Sequence, residues 1–381
     1  MTRFVLPLLA VLLVLMALFT VIKAPTIWTW WLALLAAEFG HFFVVLPVGL
    51  ASWALFRGAA IGSTSLIITV VGCALAVGLF LKPTIQAARL AKDLPEKLGG
   101  VFGEAQLSQA PFSVAALARL GGQAVQPETR IFAHAGTANE LALDFYRPAS
   151  AAAAPCVIVV HGGGWDSGER TQLPALNSYL ARRGFAVAAV SYRLTTQAIW
   201  PAQREDVRSA VAYLKTHARE LGIDPARFVL LGRSAGGHIA EAVAYEEPDP
   251  AIRGLVALYA PADMHFAWKF TNERDVLDSK KLIRQLTGGT PETAAANFDS
   301  ASPYLHVRRG SVPTLLVHGT IDSLVWRRQS ERLDERLRAE NVPVVFLELP
   351  WATHAFDVNL HGPGGQLSTF AIEWFLRAVT R

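Results

Sequence analysis

The chain has 381 residues, a formal net charge of +4, 52% hydrophobic and 17% charged residues, and two cysteines. The modest charge, without clustered Lys/Arg and interleaved aromatics, excludes a nucleic-acid partner, and two cysteines exclude a disulfide framework. No C-x-x-C or H-E-x-x-H pattern argues for a metal, and no cofactor is called for.

The first third is membrane-like. Phe4 to Ile22 is a nineteen-residue run without a charge, and Ile61 to Leu81 is another of twenty-one; about 20 such residues cross the hydrocarbon. Between them, Trp31 to Trp53 is apolar except for Glu38, His41 and small polar residues, and Trp28, Trp30, Trp31 and Trp53 stand where interfacial aromatics belong. The pattern predicts an all-α transmembrane anchor over 1–82, with spans at about 4–22, 31–53 and 61–81 and lipid as its partner. A cleaved signal is the rival, but its apolar region runs to roughly 15 residues at most, and Val21-Ile22-Lys23-Ala24-Pro25 is a poor cleavage site. Glu38 and His41, three apart, share a helical face. Ionisable groups at that depth are functional candidates, but with no proton path suggested a mutually satisfied pair packed in the bundle or close to the headgroups is the expectation. Lys23, Lys82, Arg89, Lys92 and Lys97 fall on one side of three spans and Arg3 and Arg57 on the other, so the positive-inside rule puts the rest of the chain in the cytoplasm, at a bacterial inner membrane.

Residues 83–127 read as a linker, with a short amphipathic helix over Phe112–Leu120. From 128 to 381 the pattern changes to short apolar strands, predicted at Thr129–His134, Glu140–Tyr146, Cys156–Val160, Ala186–Ser191, Phe228–Leu231, Gly254–Tyr259, Thr314–Val317 and Val344–Leu349. After the third strand every connection carries a helix. Arg204–Leu221 shows the stripe Val207, Ala210, Val211, Leu214, Ala218, and Trp326–Glu340 and Gly365–Val379 read likewise. Alternation of this kind implies a mostly parallel doubly wound sheet with an antiparallel start. Pro261–Val312 is long for a connector and is expected near a site mouth, where Phe266, Trp268 and Phe270 line a pocket or simply fill core.

Two glycine-rich stretches follow strands. Gly232-Arg233-Ser234-Ala235-Gly236 is a G-x-S-x-G between a strand and the helical Gly237–Ala242, which exposes the serine on a sharp turn. Taken alone the pentapeptide is also compatible with a helix-capping turn. His161-Gly162-Gly163-Gly164-Trp165 lets backbone N–H groups approach an anion; without a Lys-Ser/Thr after its last glycine it does not read as a phosphate loop. A serine nucleophile needs a base and an orienting carboxylate. His354, in the loop after the last strand, and Asp322, just past the seventh, supply them at the strand ends where open α/β sheets build sites. His361 is the rival base, whereas His161, His238 and His318 read as structural. The order Ser234, Asp322, His354 is that of the hydrolases.

These stretches together resemble the α/β-hydrolase superfamily, and within it the esterases and lipases related to hormone-sensitive lipase. The likeness extends to Leu141–Pro148, Ser191-Tyr192-Arg193-Leu194, Pro201–Val207 and Gly222-Ile223-Asp224-Pro225, covering about Glu128 to Arg381. It looks closest to the bacterial branch with feruloyl-esterase-like and kynurenine-formamidase-like members, although Arg233 stands where an acidic residue or histidine is usual. The resemblance implies an eight-stranded α/β-hydrolase fold and a serine carboxylesterase acting on small-molecule or lipid esters. Ser234, Asp322 and His354 would be catalytic, Gly163, Gly164 and Ala235 the oxyanion hole, and Trp165, Phe266 and Trp268 the substrate pocket. Amidase, formamidase or acyltransferase chemistry would use the same triad, and a binding protein on a hydrolase fold is the non-enzymatic alternative.

Overall fold

Hydropathy and proline placement decide the shape of the N-terminal region in the computed structural model, which describes residues 2–58, 62–119, 121–149 and 153–381. Ile61 of the expected third span and Leu120 of the expected short helix lie outside the described residues, as do Ala151 and Ala152. Helix α1 spans Thr2–Leu18, α2 Ile27–Phe43, α3 Val45–Phe56 and α4 Ser63–Phe102. The segment expected to cross as one span, 31–53, is instead two helices bent by 55° about Val44. Pro47 accounts for the break: it has no N–H for the Phe43 carbonyl, and its ring clashes with that carbonyl. At 1.5 Å per residue the twelve residues of α3 cover about 18 Å, short of the roughly 30 Å hydrocarbon. Among the described residues α4 is the single helix long and apolar enough to cross alone.

Residues 83–102, expected as linker, are the second half of α4. Its first half pairs with α1 and α3, with Gly72 against Ala10 and Leu66 beside Leu6 and Ala54. Its second half buries Ala87, Leu94 and Leu98 against the downstream domain. The expected helix near 112–120 is one turn, Val114–Leu117.

The downstream domain is an eight-stranded sheet: β1 Glu128–Ala133, β2 Leu141–Tyr146, β3 Ala154–Val160, β4 Ala186–Val190, β5 Ile223–Arg233, β6 Ile252–Leu258, β7 Thr314–Gly319 and β8 Val344–Leu349. Strand order is β1-β2-β4-β3-β5-β6-β7-β8. β1–β2 and β2–β4 are antiparallel and the remaining pairs parallel. Each predicted strand is present, and the antiparallel start is where the pattern put it. The flanking helices are α5 Pro174–Arg182, α6 Ala202–Thr216, α7 Ala235–Tyr245, α8 Met264–Phe270, α9 Ser279–Thr287, α10 Arg328–Ala339 and α11 Pro363–Val379. The helix predicted over 204–221 ends at Thr216, and a separate turn covers Ala218–Leu221.

Successive strand residues face opposite sides. Ile158 and Leu230 join Val207, Val211 and Ile239 on one face; Val157, Val159, Val229 and Leu231 meet Leu176, Leu367, Phe375 and the second half of α4 on the other. Burial on both faces explains why these strands read as continuous apolar runs.

Glu38 and His41 are not a mutual pair. Buried Glu38 accepts a 2.9 Å hydrogen bond at Oε2 from Gly364 N, in the first turn of α11, where unpaired N–H groups favour a carboxylate. Asn359 Nδ2 donates to the Glu38 carbonyl at 3.2 Å, and His41 Nε2 donates to the Leu117 carbonyl at 3.0 Å. Helix α2 is therefore docked on the sheet domain.

Candidate active site

The strand-to-helix turn between β5 and α7 places Ser234 at φ 53°, ψ −122°, a sparsely populated backbone region held by its surroundings. Small residues are obligatory around it. A Cβ on Gly232 would lie 2.3 Å from the Gly236 carbonyl oxygen, and one on Gly236 would lie 2.2 Å from that of His161. Ser234 N donates to Leu258 O at 2.9 Å, tying the turn to β6. Ala235, in the first turn of α7, has an N–H without an intrahelical partner.

The glycine loop after β3 is shaped by its own hydrogen bonds. Gly163 has φ 125°, Gly164 61° and Trp165 66°. The Gly163 carbonyl accepts from Ser167 N at 3.0 Å and Ser167 Oγ at 2.7 Å, and a Cβ on Gly163 would meet Ser167 O at 2.2 Å. Gln172 Oε1 accepts from Gly162 N at 3.0 Å. Trp165 Nε1 donates to His238 Nδ1 at 3.1 Å, which leaves His238 Nε2 as the protonated nitrogen donating to Ala301 O at 2.8 Å. His161 stacks on Tyr192 with centroids 4.3 Å apart, and Tyr192 OH donates to His161 O at 3.1 Å. His161 and His238 thus fix the loop.

Burial pushes both rings down, to about 4 each, against weaker opposition from the backbone carbonyls they bond. Between pH 6.5 and 4 the unfolded chain therefore binds protons that the folded chain does not. Stability is fully present above pH 6.5 and is lost as pH falls through 4. The loss is on the order of 3 kcal/mol per ring. Urea unfolding between pH 7 and 4 should show it, with His238→Asn having the shallower slope; a flat profile in the parent chain would rule out neutral burial.

On the opposite side, Asp322 is fully buried after β7. Its Oδ1 accepts from Leu324 N at 2.8 Å and Val325 N at 3.0 Å, and its Oδ2 from His354 Nδ1 at 2.7 Å. His318 Nε2 lies 3.3 Å from the same oxygen, is 3.1 Å from Val325 O, and has its Nδ1 2.8 Å from Ser330 Oγ. Burial alone would raise the Asp322 carboxyl, yet the neighbouring His354 ring and hydrogen bonds from both histidines hold it well below the carboxylate range. An ionised carboxylate only accepts, so Nδ1 of His354 carries the proton and Nε2 is free to take another. No Ser234–His354 hydrogen bond is formed; in unliganded sites that contact commonly tightens on substrate binding. His361 is elsewhere, with Nε2 2.7 Å from the Gly121 carbonyl.

A cavity of about 440 Å³ lies against the elbow, the glycine loop and the Asp322 loop. Ser234, Ala235, Gly164, Trp165, Asp322 and Phe266 line it. Trp268 does not: it packs edge-on to Phe298 at 5.7 Å, with Lys280 and Arg284 over its ring. Positions two apart on a helix point about 200° apart, so Phe266 and Phe270 face the cavity and Trp268 turns away.

One group was not legible beforehand. Arg233, 2% exposed, donates from Nε to Asp357 Oδ2 at 2.5 Å, and Tyr259 OH donates to Asp357 Oδ1 at 2.5 Å. The Tyr259 ring lies 4.3 Å from His354. The residue before Ser234 is thus paired with the residue three after His354, and the same aspartate holds the tyrosine that packs on the histidine. Its sequence signal was the departure at Arg233 together with an aspartate near His354.

A nucleophile elbow after β5, a glycine loop after β3 and an Asp–His pair after β7 and β8 define an α/β hydrolase of the esterase group. A family profile described as BD-FAE matches residues 143–337, about half the chain, and the chain belongs to that family. It is 32% identical over 242 residues to the probable carboxylic ester hydrolase LipM of Mycobacterium tuberculosis, covering 59% of this chain and 54% of that protein. It is also 32% identical over 246 residues to esterase LipC of the same organism, covering 60% and 59%. The chain thus spans between half and three-fifths of the length of these relatives. A thermophilic esterase from Thermogutta terrifontis superposes with TM-score 0.54 at 24% identity, covering 65% of this chain and 89% of that one. A truncated carbohydrate esterase from gut microbiota gives 0.56 at 19%, covering 68% and 99%. Both structures share the fold.

Proposed function

We propose that the chain is a membrane-anchored serine carboxylesterase. The observation that carries this reading is the His354–Asp322 pair, fixed in the tautomer a base requires, beside a cavity that has Ser234 on a strained elbow. His354 Nε2 takes the Ser234 proton as Oγ attacks the ester carbonyl, and Asp322 stabilises the imidazolium. The tetrahedral oxyanion is met by N–H of Ala235 and of Gly163 or Gly164, worth about 3 kcal/mol for each well-aimed donor. The imidazolium then protonates the leaving alcohol, and water activated by His354 releases the acid from the acyl-enzyme. The names of LipM and LipC support an ester rather than an amide substrate.

The experiment is turnover of aryl esters and matched anilides by detergent-solubilised protein, with fluorophosphonate labelling of Ser234. Ester hydrolysis and one label per chain are expected. Anilide turnover above ester turnover would move the reading to an amidase, and acyl transfer to added alcohol in preference to water would move it to an acyltransferase.

The anchor comprises α1, α3 and the first half of α4, with the sheet domain on the cytoplasmic face. Protease added to spheroplasts should leave that domain uncut; prompt cleavage would reverse the orientation.

A further inference from the structure

We infer that the connector between α1 and α2 forms a wall of the acyl pocket, and that the occupant is a long acyl chain of an ester resident in the bilayer; this rests on the esterase reading. Lys23 and Ala24, more than two hundred residues before the nucleophile, line the same cavity as Ser234. Ala24 is 3% exposed and belongs to a cluster with Trp30, Ala33 and Leu34 that packs on Leu324 and Ala355. Those two side chains lie two residues beyond Asp322 and one beyond His354. The connector is therefore seated against both triad loops.

Its level is fixed by α4. Thr20 Oγ1 donates to Leu79 O at 3.2 Å, and Lys82 Nζ donates to Thr20 O at 3.0 Å. Lys82 is the first charged residue of α4, where its apolar half ends. On the far side of that level, α1 exposes Phe4, Leu8, Leu12 and Leu15, and α4 exposes Ile67, Val71 and Leu75, a surface suited to lipid tails. Trp28 and Trp31, exposed at the start of α2, are residues favoured at the membrane–water boundary. The cavity rim adds Phe270 and Trp326, 54% and 49% exposed. On this reading the mouth of the site stands at the boundary, with the exposed Phe270 and Trp326 among its lining.

Much of the remaining lining is apolar, with Met264, Val276, Leu277 and Ile283, and Asn272, Asp275 and Gln329 are among its polar members. At the roughly 30 Å³ that a water occupies in the liquid, 440 Å³ holds about 15 non-hydrogen atoms. That suits a medium-to-long acyl chain and exceeds what an acetyl group fills.

The test uses the full chain with Lys23→Cys. Cys73 and Cys156 are buried, so pyrene-maleimide has one accessible thiol. Labelled and unlabelled protein of this same variant are compared on p-nitrophenyl laurate and butyrate, and the laurate-to-butyrate ratio of kcat/KM should fall at least tenfold on labelling. An unchanged ratio, or a thiol that resists labelling, would overturn the wall assignment. Ala24→Trp, checked for folding by its melting temperature, should shift the optimum to shorter chains, and an unshifted optimum would also overturn it. For the source, protein reconstituted in ether-lipid vesicles is given a lauroyl ester at fixed bulk concentration and varied surface fraction. A rate that follows surface fraction supports withdrawal from the bilayer; one that follows bulk concentration refutes it. Absence of butyrate turnover and of fluorophosphonate labelling in the parent chain would mark failure of the esterase reading itself.

Discussion

Ser234→Ala should abolish ester turnover while the protein stays folded, with kcat down by about 10⁶-fold, the scale known from removal of a triad serine in subtilisin. The fold should tolerate the change for a specific reason. Ser234 holds φ 53°, and alanine at the same φ carries the same backbone cost, on the order of 1–3 kcal/mol. The strain already belongs to the native state and is offset by the glycines packed around it. Substrate affinity should also survive, because the cavity and the N–H donors are untouched. The measurement is kcat, KM and melting temperature of the variant beside the parent. Residual turnover above a few per cent, with fluorophosphonate labelling retained, would show that another residue is the nucleophile.

Asp357→Ala should be the most destabilising single change near the site. It leaves the Arg233 guanidinium fully buried without its carboxylate and removes the acceptor of the Tyr259 hydroxyl. Breaking one side of a buried ion pair costs about 3–5 kcal/mol, whereas replacing both partners with apolar groups of similar volume is often neutral. Arg233→Met combined with Asp357→Leu should therefore regain much of the stability that Asp357→Ala loses. Activity separates structure from positioning: since Tyr259 packs on His354, the double variant should melt near the parent yet have lower kcat with KM little changed. A single variant that melts within about 2 °C of the parent would show the pair to be energetically idle, since a loss of this size shifts melting by several degrees even in a large domain.

The sheet and the site were legible because their signals are local. Each strand of the core is an apolar run closed by turn residues, and Ser234, Asp322 and His354 all sit just past such runs. Trp268 was misplaced because an apolar stretch shows that aromatics cluster but not which helical face each takes. The N-terminal helices were harder. An apolar run from Trp31 to Trp53 reads as one span by hydropathy, and the break at Val44 turns on Pro47. Proline alone does not decide, since Pro83 and Pro95 lie inside α4 without ending it. Nor did Glu38 announce its partner. Its bond to Gly364 joins positions 326 apart in sequence, and no local pattern encodes such a meeting. The same holds for Ala24 in the pocket wall.

Helix α4 runs forty residues without interruption, about 60 Å, half among apolar helices and half against the sheet domain. A catalytic domain on a jointed tether would tumble, and each encounter with a lipid would cost it rotational freedom anew. In the proposed anchored state that freedom would be given up once, when the chain folds and inserts, and every later encounter would be a search in two dimensions by a body of fixed heading. Catalysis by proximity depends on orientation settled in advance, and a continuous shaft held in the bilayer would settle it before any substrate arrives.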